Sequence, residues 1–321
     1  MPSEFDLIRR HFTRPPAHTH LAVGDDAALF EVTPGMQLAV STDTLVAGVH
    51  FFPETDPGDL GWKTLAVNLS DLAAMGAQPR WTTLALTLPR VDDEWLTAFA
   101  RGFFACAEIY GVDLVGGDTT RGPLAMTATV FGEVPPDAAI TRSGGQAGDD
   151  LWVSGQPGLA ALGLAALRGQ VRLAGEARAR ALAALHHPLP RVELGLALRG
   201  IAHAMLDISD GLIGDLAHLC KRSGLAATLE AESLPLAALT ATGIEPAYAR
   251  DCLLAGGDDY ELLFAAAPTR RARLTALARQ SGLALNRIGS LDTGNGPILI
   301  SLRTADGLIA QAGGYDHFAQ D

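Results

Sequence analysis

Aspartates at the ends of predicted apolar strands are the residues in this chain whose type and spacing could do chemistry. Each motif joins small residues to one or two acids. The motifs are Gly24-Asp25-Asp26, Ser41-Thr42-Asp43, Gly116-Gly117-Asp118, Asp207-Ile208-Ser209-Asp210 and Gly256-Gly257-Asp258-Asp259. Strand ends commonly display ligand groups in α/β proteins, and a neighbouring glycine lets a backbone or phosphate come close. One such motif is ordinary turn chemistry, but five of them predict a single carboxylate-rich site.

A further aspartate, Asp71, lies inside an apolar helix. The stretch Lys63–Pro79 has apolar residues at helical spacing, and Gly76 followed by Pro79 predicts its end. A carboxylate in such surroundings is costly unless it is paired or bound to a metal. From the helix alone two partners stay open, which are Lys63 on the same face and a metal ion shared with other acids.

The acids together favour metal-assisted phosphoryl transfer. Clustered carboxylates repel each other, so the cluster is stable only with divalent cations. Oxygen ligands without His or Cys favour Mg²⁺ over zinc, and protein-bound Mg²⁺ commonly carries substrate phosphates as well. The sequence has no P-loop pattern and no protein-kinase motif set. We therefore expect another phosphate contact, and Arg142 in a glycine-rich stretch is a candidate.

Composition limits the classes of partner. The chain has 321 residues, with 24 Lys and Arg against 36 Asp and Glu, giving a formal charge of −12. This balance argues against binding nucleic acid or an anionic membrane through bulk charge. The three cysteines lie far apart and predict neither a metal site nor a disulfide framework. No apolar run reaches membrane-spanning length and the N-terminus has no apolar signal core, so we expect a cytoplasmic protein.

The elements that position these acids alternate between strands and helices, which predicts an α/β (α+β) fold. Strands are predicted at Leu21–Val23, Ala27–Val32 and Gln37–Ser41, and the last of them is predicted to end in Ser41-Thr42-Asp43-Thr44. Pro135-Pro136 and the glycine-rich stretch after it predict a boundary between domains 1–136 and 137–321.

At this point the motifs resemble those of the bacterial thiamine-monophosphate kinase family, which belongs to the aminoimidazole ribonucleotide synthetase superfamily. The matching motifs appear in order along nearly the whole chain. They are GDDAALF, STDTLVAGVHF, AVNLSDLAAMGA, GGDTTRG, TRSGG, DISDGL, GGDDYEL and GYDHF. The resemblance implies a two-domain fold with an N-terminal half-barrel sheet and a C-terminal α/β domain. The N-terminal domain, 1–136, is expected to bind ATP and Mg²⁺ and to form a homodimer, and 137–321 to close the active site.

The resemblance implies ATP-dependent phosphorylation of thiamine monophosphate to thiamine diphosphate, by direct in-line transfer with several Mg²⁺ ions. The implied metal ligands are Asp26, Ser41, Thr42, Asp43, Asp71, Asp118, Asp207 and Asp210. The implied ATP contacts are Tyr110, Gly117, Asp118, Arg142 and Ser209, and the implied contacts to thiamine monophosphate are His50, Asp258 and Tyr315. The family usually has glutamate at the position of Asp258. No dedicated base is expected, because the acceptor is already a phosphate oxygen.

Other classes remain as alternatives. Relatives in the superfamily use ATP on formylglycinamidine ribonucleotide, selenide or a carbamoyl group. The selenide enzymes have a reactive cysteine or selenocysteine near the N-terminus, whereas the first cysteine here is Cys106. The carbamoyl-processing enzymes end in a cysteine, whereas this sequence ends in Gln320-Asp321. A two-metal phosphatase usually mixes His with Asp at its metals. A non-catalytic Mg²⁺- or nucleotide-binding module predicts binding without turnover.

Overall fold

The computed structural model describes residues 3–294, 300–305 and 307–311. The chain divides into two compact units, Met1–Ala139 (unit 1) and Ile140–Asp321 (unit 2). Each unit is described by itself below. Within the described residues, none of the helices combines the length and the apolar character that crossing a bilayer requires.

Unit 1 places one four-stranded sheet against two long helices. Its elements are α1 (Glu4–Leu7), a π-helical turn (Ile8–Phe12), β1 (Gln37–Val46), α2 (Pro57–Ala74), β2 (Gln78–Leu88), α3 (Asp93–Tyr110), β3 (Asp113–Arg121) and β4 (Ala125–Val134). The strand order is β1-β4-β2-β3. Strand β4 is antiparallel to β1 and β2, and β2 is parallel to β3. The buried faces of α2 and β4 enclose the core of the unit.

Helix α2 begins earlier than its apolar pattern indicates. The Asp56 carboxylate accepts hydrogen bonds from Gly58 N at 2.7 Å and Asp59 N at 3.2 Å, and Pro57 occupies the first turn. This is the N-cap chemistry that starts a helix. The helix packs tightly on α3, because a Cβ at Gly61 would collide with the Phe99 carbonyl. Helix α2 is therefore a rigid element held at its start and along its side.

The prediction that β1 ends at Ser41 is wrong. The strand continues to Val46, so Ser41-Thr42-Asp43 lies within it. The reason is cross-strand pairing, because the hydroxyls of Thr42 and Thr129 lie 3.0 Å apart and those of Thr44 and Thr127 lie 2.8 Å apart. Gly116-Gly117-Asp118 likewise lies inside β3 rather than beyond its end.

The strands predicted at Leu21–Val23 and Ala27–Val32 are also wrong as strands. This segment forms only isolated bridges, such as the antiparallel one between Leu21 and Leu29. Side chains anchor it instead, since the Phe30 ring stacks on Trp81 with centroids 4.3 Å apart.

Unit 2 contains a seven-stranded mixed sheet of order β11-β10-β7-β9-β5-β8-β6. Its elements are β5 (Asp150–Ser154), α4 (Leu159–Leu167), α5 (Gly175–His186), α6 (Val192–Ala197), β6 (Ala202–Asp207), α7 (Leu212–Ser223), β7 (Ala226–Glu230), α8 (Ala237–Thr240), α9 (Pro246–Ala255), β8 (Leu262–Ala266), α10 (Arg271–Ser281), β9 (Leu285–Asp292), β10 (Ile300–Thr304) and β11 (Gly307–Gln311). A buried apolar cluster joins the sheet to α4, α7 and α9.

Two acidic motifs of unit 2 meet at one end of neighbouring strands. Asp207 is the last residue of β6, as the sequence indicates. Gly256-Gly257-Asp258-Asp259 follows helix α9 and precedes β8, so its grouping with the motifs that end a strand is wrong. The sequence also predicts a helix over Pro246–Leu254 that ends at this motif, and that prediction is confirmed. Because β6 and β8 are antiparallel neighbours with Asp207 opposite Leu262, the end of one strand and the start of the other lie together.

A buried glutamate on β4 makes the stability of unit 1 depend on pH. Burial by itself raises the pKa of Glu133, but hydrogen bonds from Thr33 N at 2.6 Å, the Thr33 hydroxyl at 3.0 Å and Arg80 Nε at 3.0 Å outweigh it and hold that pKa below its usual range. The stabilisation is therefore present above the unfolded-state pKa and is lost as the pH falls through the folded-state pKa.

We expect Glu133→Gln to lower the unfolding temperature at neutral pH and to reduce its further drop on acidification to about pH 3. Calorimetry across that range measures both. The exposed Glu31→Gln is the control and should follow the parent chain. An equal acid-induced drop in Glu133→Gln and the parent would contradict the assignment.

Candidate active site

Helix α2 and strand β1 bring three of the predicted metal ligands, Ser41, Asp43 and Asp71, to one face of unit 1. The Ser41 hydroxyl donates to the Asp71 carboxylate at 2.5 Å, and the Asp43 N–H donates to the Asn68 side-chain oxygen at 2.8 Å. Asn68 is itself fixed, because its Nδ2 donates to the Thr64 carbonyl at 2.9 Å. Residues two apart on a strand share a face, so Ser41 and Asp43 both point toward α2. The rigid helix α2 thus carries Asp71, and strand β1, bonded to α2 through Asn68, carries Asp43. These two acids form the acid pair of unit 1.

The structure supplies a hydroxyl partner for Asp71 that the helix pattern alone did not indicate. Lys63, the other candidate partner, is only 4% exposed on the same helix. The Ser41–Asp71 hydrogen bond explains how a carboxylate is accommodated at the edge of an apolar helix, since a charged acceptor strengthens a hydrogen bond.

Two other predicted ligands of unit 1 lie away from this pair. The Thr42 hydroxyl donates to the Ala128 carbonyl at 3.0 Å on the opposite face of β1. Asp118 is exposed on β3, and two strands separate β3 from β1. Three interstrand spacings place Asp118 about 14 Å from Asp43 along the sheet. Within one copy of unit 1, the side chains of Asp43 and Asp118 cannot hold the same ion.

Two predicted nucleotide contacts of unit 1, Tyr110 and Gly117, lie on different elements. Gly117 has φ of 155° and a Cβ there would collide with the Leu84 carbonyl, so glycine is required for β3 to approach β2. Tyr110 ends α3, whereas Gly117 lies four residues into β3 beyond Asp113. About 13 Å of strand separates Asp113 from Gly117.

His50 and Asp26 lie on loops of unit 1. His50 Nδ1 accepts a hydrogen bond from Val46 N at 3.0 Å, so neutral His50 carries its proton on Nε2. Asp26 is exposed, and its N–H donates to the Asp25 carboxylate at 2.9 Å.

In unit 2 the loops 207–211 and 256–261 form one structure, called here the double loop. Backbone hydrogen bonds join them, from Asp258 N to Ser209 O at 2.9 Å, from Tyr260 N to Ile208 O at 2.8 Å and from Ile208 N to Glu261 O at 2.8 Å. The double loop brings together Asp207, Ser209, Asp210 and Asp258 of the predicted site.

Glycines make this contact possible. A Cβ at Gly257 would collide with the Ser209 carbonyl, and one at Gly211, where φ is +109°, would lie 2.9 Å from the Ala255 backbone. The two glycine-containing motifs of the sequence therefore serve backbone-to-backbone packing between the loops.

Two non-glycine residues of the double loop have left-handed backbone conformations. Asp258 has φ of 66° and Tyr260 has φ of 52°. The Tyr260 hydroxyl donates to the Asp258 carboxylate at 3.2 Å. Such conformations persist only where the surroundings impose them, and they concentrate at functional sites. The side chain of Asp258 is therefore held in one place by its backbone and by Tyr260.

Asp215, which sequence reasoning missed, supports the first half of the double loop. Its Oδ2 accepts hydrogen bonds from Ser209 N and Asp210 N, both at 3.0 Å. Burial raises the pKa of Asp215 to about 7, while the charge of Arg142 acts in the opposite direction. Arg142 is thus electrostatically coupled to the base of the loop that carries Ser209. The signal in the sequence was an acid in the first turn of an apolar helix.

Sequence reasoning also did not predict that the Asp259 carboxylate has a structural role. Both of its oxygens lie 2.8 Å from Gly158 N at the start of α4. Burial raises the pKa of Asp259 well above its ordinary value. In the pair Asp258-Asp259, therefore, Asp259 caps a helix and Asp258 is the residue that the double loop displays. Tyr315 lies outside the described residues.

The chemistry of the donor set in unit 1 fits Mg²⁺. Among the residues that the structure describes, no three His, Cys, Asp or Glu side chains are placed so that they could hold one metal ion, so Asp26, Asp43 and Asp71 do not form such a group. Protein-bound Mg²⁺ commonly takes only one or two carboxylates, with waters and substrate phosphates as its other ligands. The oxygen-only pair Asp43 and Asp71 meets that requirement.

Comparison with known proteins decides the family. The family description "AIR synthase related protein, N-terminal domain" matches residues 24–134, and "AIR synthase related protein, C-terminal domain" matches residues 146–300. The thiamine-monophosphate kinase of Salmonella typhimurium is 44% identical over 320 residues, which cover 98% of each chain. This chain belongs to the thiamine-monophosphate kinase family. The kinase of Haemophilus influenzae is 40% identical over 327 residues, covering 99% of this chain and 98% of the relative.

Solved structures of thiamine-monophosphate kinases share the fold. The crystal structure from Stenotrophomonas maltophilia has a TM-score of 0.83 and 48% identity, covering 89% of this chain and 91% of that one. The structure described as AaThiL complexed with AMPPCP and TMP has a TM-score of 0.78 and 29% identity, covering 92% of each chain. The predicted fold class, the family and the prediction of an enzyme are confirmed.

Proposed function

We propose that this chain transfers the γ-phosphoryl group of ATP to thiamine monophosphate, producing thiamine diphosphate and ADP. The observation that carries the proposal is the 44% identity with a thiamine-monophosphate kinase over 98% of both chains. The relative complexed with AMPPCP and TMP supports the same pair of substrates. The chain is proposed to act in the cytoplasm, without nucleic acid or membrane as a partner.

Asp43 and Asp71 are proposed as the principal Mg²⁺ ligands of unit 1. When held by these acids, Mg²⁺ would supply positive charge that offsets the negative charge of the transferring phosphoryl group. The protein holds Asp71 through Ser41 and holds the β1 backbone at Asp43 through Asn68, so the acids do not have to reorganise. Asp26, Asp207 and Asp210 are proposed as further ligands. In-line transfer places most of the catalytic burden on such positioning.

Arg142 and Ser209 are proposed as nucleotide contacts, because both adjoin the loop base that Asp215 organises. Arginine suits phosphate oxygens, since its guanidinium offers several donors in a fixed plane. His50 and Asp258 are proposed to contact thiamine monophosphate. His50 presents an Nε2 proton, which suits an acceptor such as a phosphate oxygen.

A homodimer through unit 1 is proposed from the uncovered face of its sheet. Helix α2 covers the face of β1 that carries Ser41, whereas Leu38 and Val40 on the other face are 40% and 55% exposed. Because Asp118 lies far from Asp43 within one copy of unit 1, a dimer would allow Asp118 to act in the metal site of the other copy. We propose that Asp118 completes a site in the partner copy.

Acceptor dependence tests the proposed activity. The purified chain with ATP and Mg²⁺ should release ADP only after thiamine monophosphate is added. Equal ADP release without the acceptor would make the chain an ATPase. Binding of ATP without ADP release under either condition would make it a nucleotide-binding module.

A further inference from the structure

We propose that Glu261, held by Arg191, is a positioning residue that fixes the double loop of unit 2 for catalysis. Neither residue belongs to the predicted site. The inference rests on the proposed function, because the double loop carries the proposed metal and substrate contacts.

Glu261 lies at the centre of a buried ion-pair network. Its side chain is 7% exposed, and Arg191 donates to both of its carboxylate oxygens, from Nε at 2.7 Å and from a terminal nitrogen at 2.5 Å. The Ser154 hydroxyl donates to the same carboxylate at 2.5 Å. A bidentate arginine constrains the orientation of a carboxylate as well as neutralising it.

The network is joined directly to the double loop. The Glu261 carbonyl accepts from Ile208 N at 2.8 Å, and Ile208 lies between Asp207 and Ser209. On the other side, Leu262 N donates to Ser154 Oγ at 2.9 Å, which ties the start of β8 to the end of β5. Glu261 therefore bonds to the first half of the double loop through its backbone carbonyl, while Arg191 and Ser154 hold its side chain.

Close packing at Gly155 restricts the Glu261 carboxylate on one side. Gly155 has φ of +61°, and a Cβ there would collide with the Glu261 carboxylate. The strained backbones of Asp258 and Tyr260 immediately precede Glu261. Left-handed conformations of such residues must be imposed by their surroundings, and the Arg191–Glu261 pair is a charged contact next to them in the chain.

Unit 2 contains a second ion pair that serves as a matched control. Arg271 donates to both oxygens of Asp150 at 2.6 Å, and Asp150 is 2% exposed. Asp150 starts β5 and pairs with Ala266 at the far end of β8, whereas Ser154 and Glu261 lie at the near end of the same two strands. The two pairs share bidentate chemistry and a sheet but differ in their distance from the double loop.

The experiment compares Arg191→Lys and Glu261→Gln with Arg271→Lys and Asp150→Asn. All four variants are expected to lower the unfolding temperature. Only the first two should also lower kcat/KM for thiamine monophosphate, by about tenfold or more, since small misplacements of contact groups are costly. Glu261→Gln keeps an acceptor for Ser154 and is the milder test if Arg191→Lys folds poorly.

Hydrogen exchange provides a readout that does not depend on activity. The amides of Ile208 and Tyr260 should exchange faster in Arg191→Lys and at the parent rate in Arg271→Lys. Parent-like kinetics and exchange in Arg191→Lys would overturn the proposal, and so would equal kinetic losses in both pairs. If the parent chain shows no acceptor-dependent turnover, the proposed function fails, and exchange alone then decides the positioning role.

Discussion

Asp43→Asn and Asp71→Asn are each expected to reduce turnover by at least about a hundredfold while the chain stays folded. Asparagine keeps the size of the side chain and an acceptor oxygen, so the Ser41 hydroxyl still finds a partner at position 71. What it removes is the negative charge that would hold Mg²⁺. Because each change also removes one of two like charges on one face of unit 1, the unfolding temperature without Mg²⁺ should be unchanged or higher.

Steady-state kinetics across a range of Mg²⁺ concentrations, with thermal unfolding in parallel, measures both effects. Asp137→Asn is the control, because Asp137 is exposed, has φ of 61° and is not among the proposed ligands. Asparagine tolerates that backbone conformation. Parent-like activity of Asp43→Asn or Asp71→Asn at ordinary Mg²⁺ would refute the ligand assignment.

The second large effect is recovery of activity when two inactive variants are combined. Asp43→Asn and Asp118→Asn should each be inactive alone. If Asp118 serves the site of the partner copy, a mixed dimer has one site with both acids and one site with neither. Random pairing makes about half of the dimers mixed, so the mixture should regain about one quarter of the parent activity.

The test requires co-expression with two affinity tags, so that mixed dimers form during folding and can be isolated. Asp43→Asn combined with Asp71→Asn is the control. Both of those residues lie on one face of the same unit, so their mixed dimer should stay inactive. Inactive mixed dimers of Asp43→Asn and Asp118→Asn would show that Asp118 acts within its own chain, and a monomeric parent would remove the proposal altogether.

Local patterns predicted the elements well where the deciding interactions are local. The helix that carries Asp71 follows from apolar periodicity, and the strand that ends at Asp207 follows from its motif. The length of β1 did not follow, because Thr42 and Thr44 stay in the strand through hydroxyls of a strand more than eighty residues later. A short sequence window does not contain both partners of such a pair, so it cannot predict the pairing.

The acids of the candidate site show the same limit. Counting Asp motifs selected Asp43, Asp207 and Asp258 as candidates, yet it could not separate acids that are displayed from acids that support the fold. Asp259 caps a helix that begins a hundred residues earlier in the chain, and Asp215 supports a loop. Sequence spacing likewise could not show that Asp118 lies on a strand remote from Asp43, because strand order is decided by the whole sheet.

The fate of the γ-phosphoryl group of ATP tests the central claim most directly. The chain is incubated with Mg²⁺, thiamine monophosphate and ATP radiolabelled in its γ-phosphate, and the products are separated by chromatography. The account predicts that the label appears in thiamine diphosphate, in an amount equal to the ADP formed. Label found only in inorganic phosphate, or ADP formed without labelled thiamine diphosphate, would contradict it.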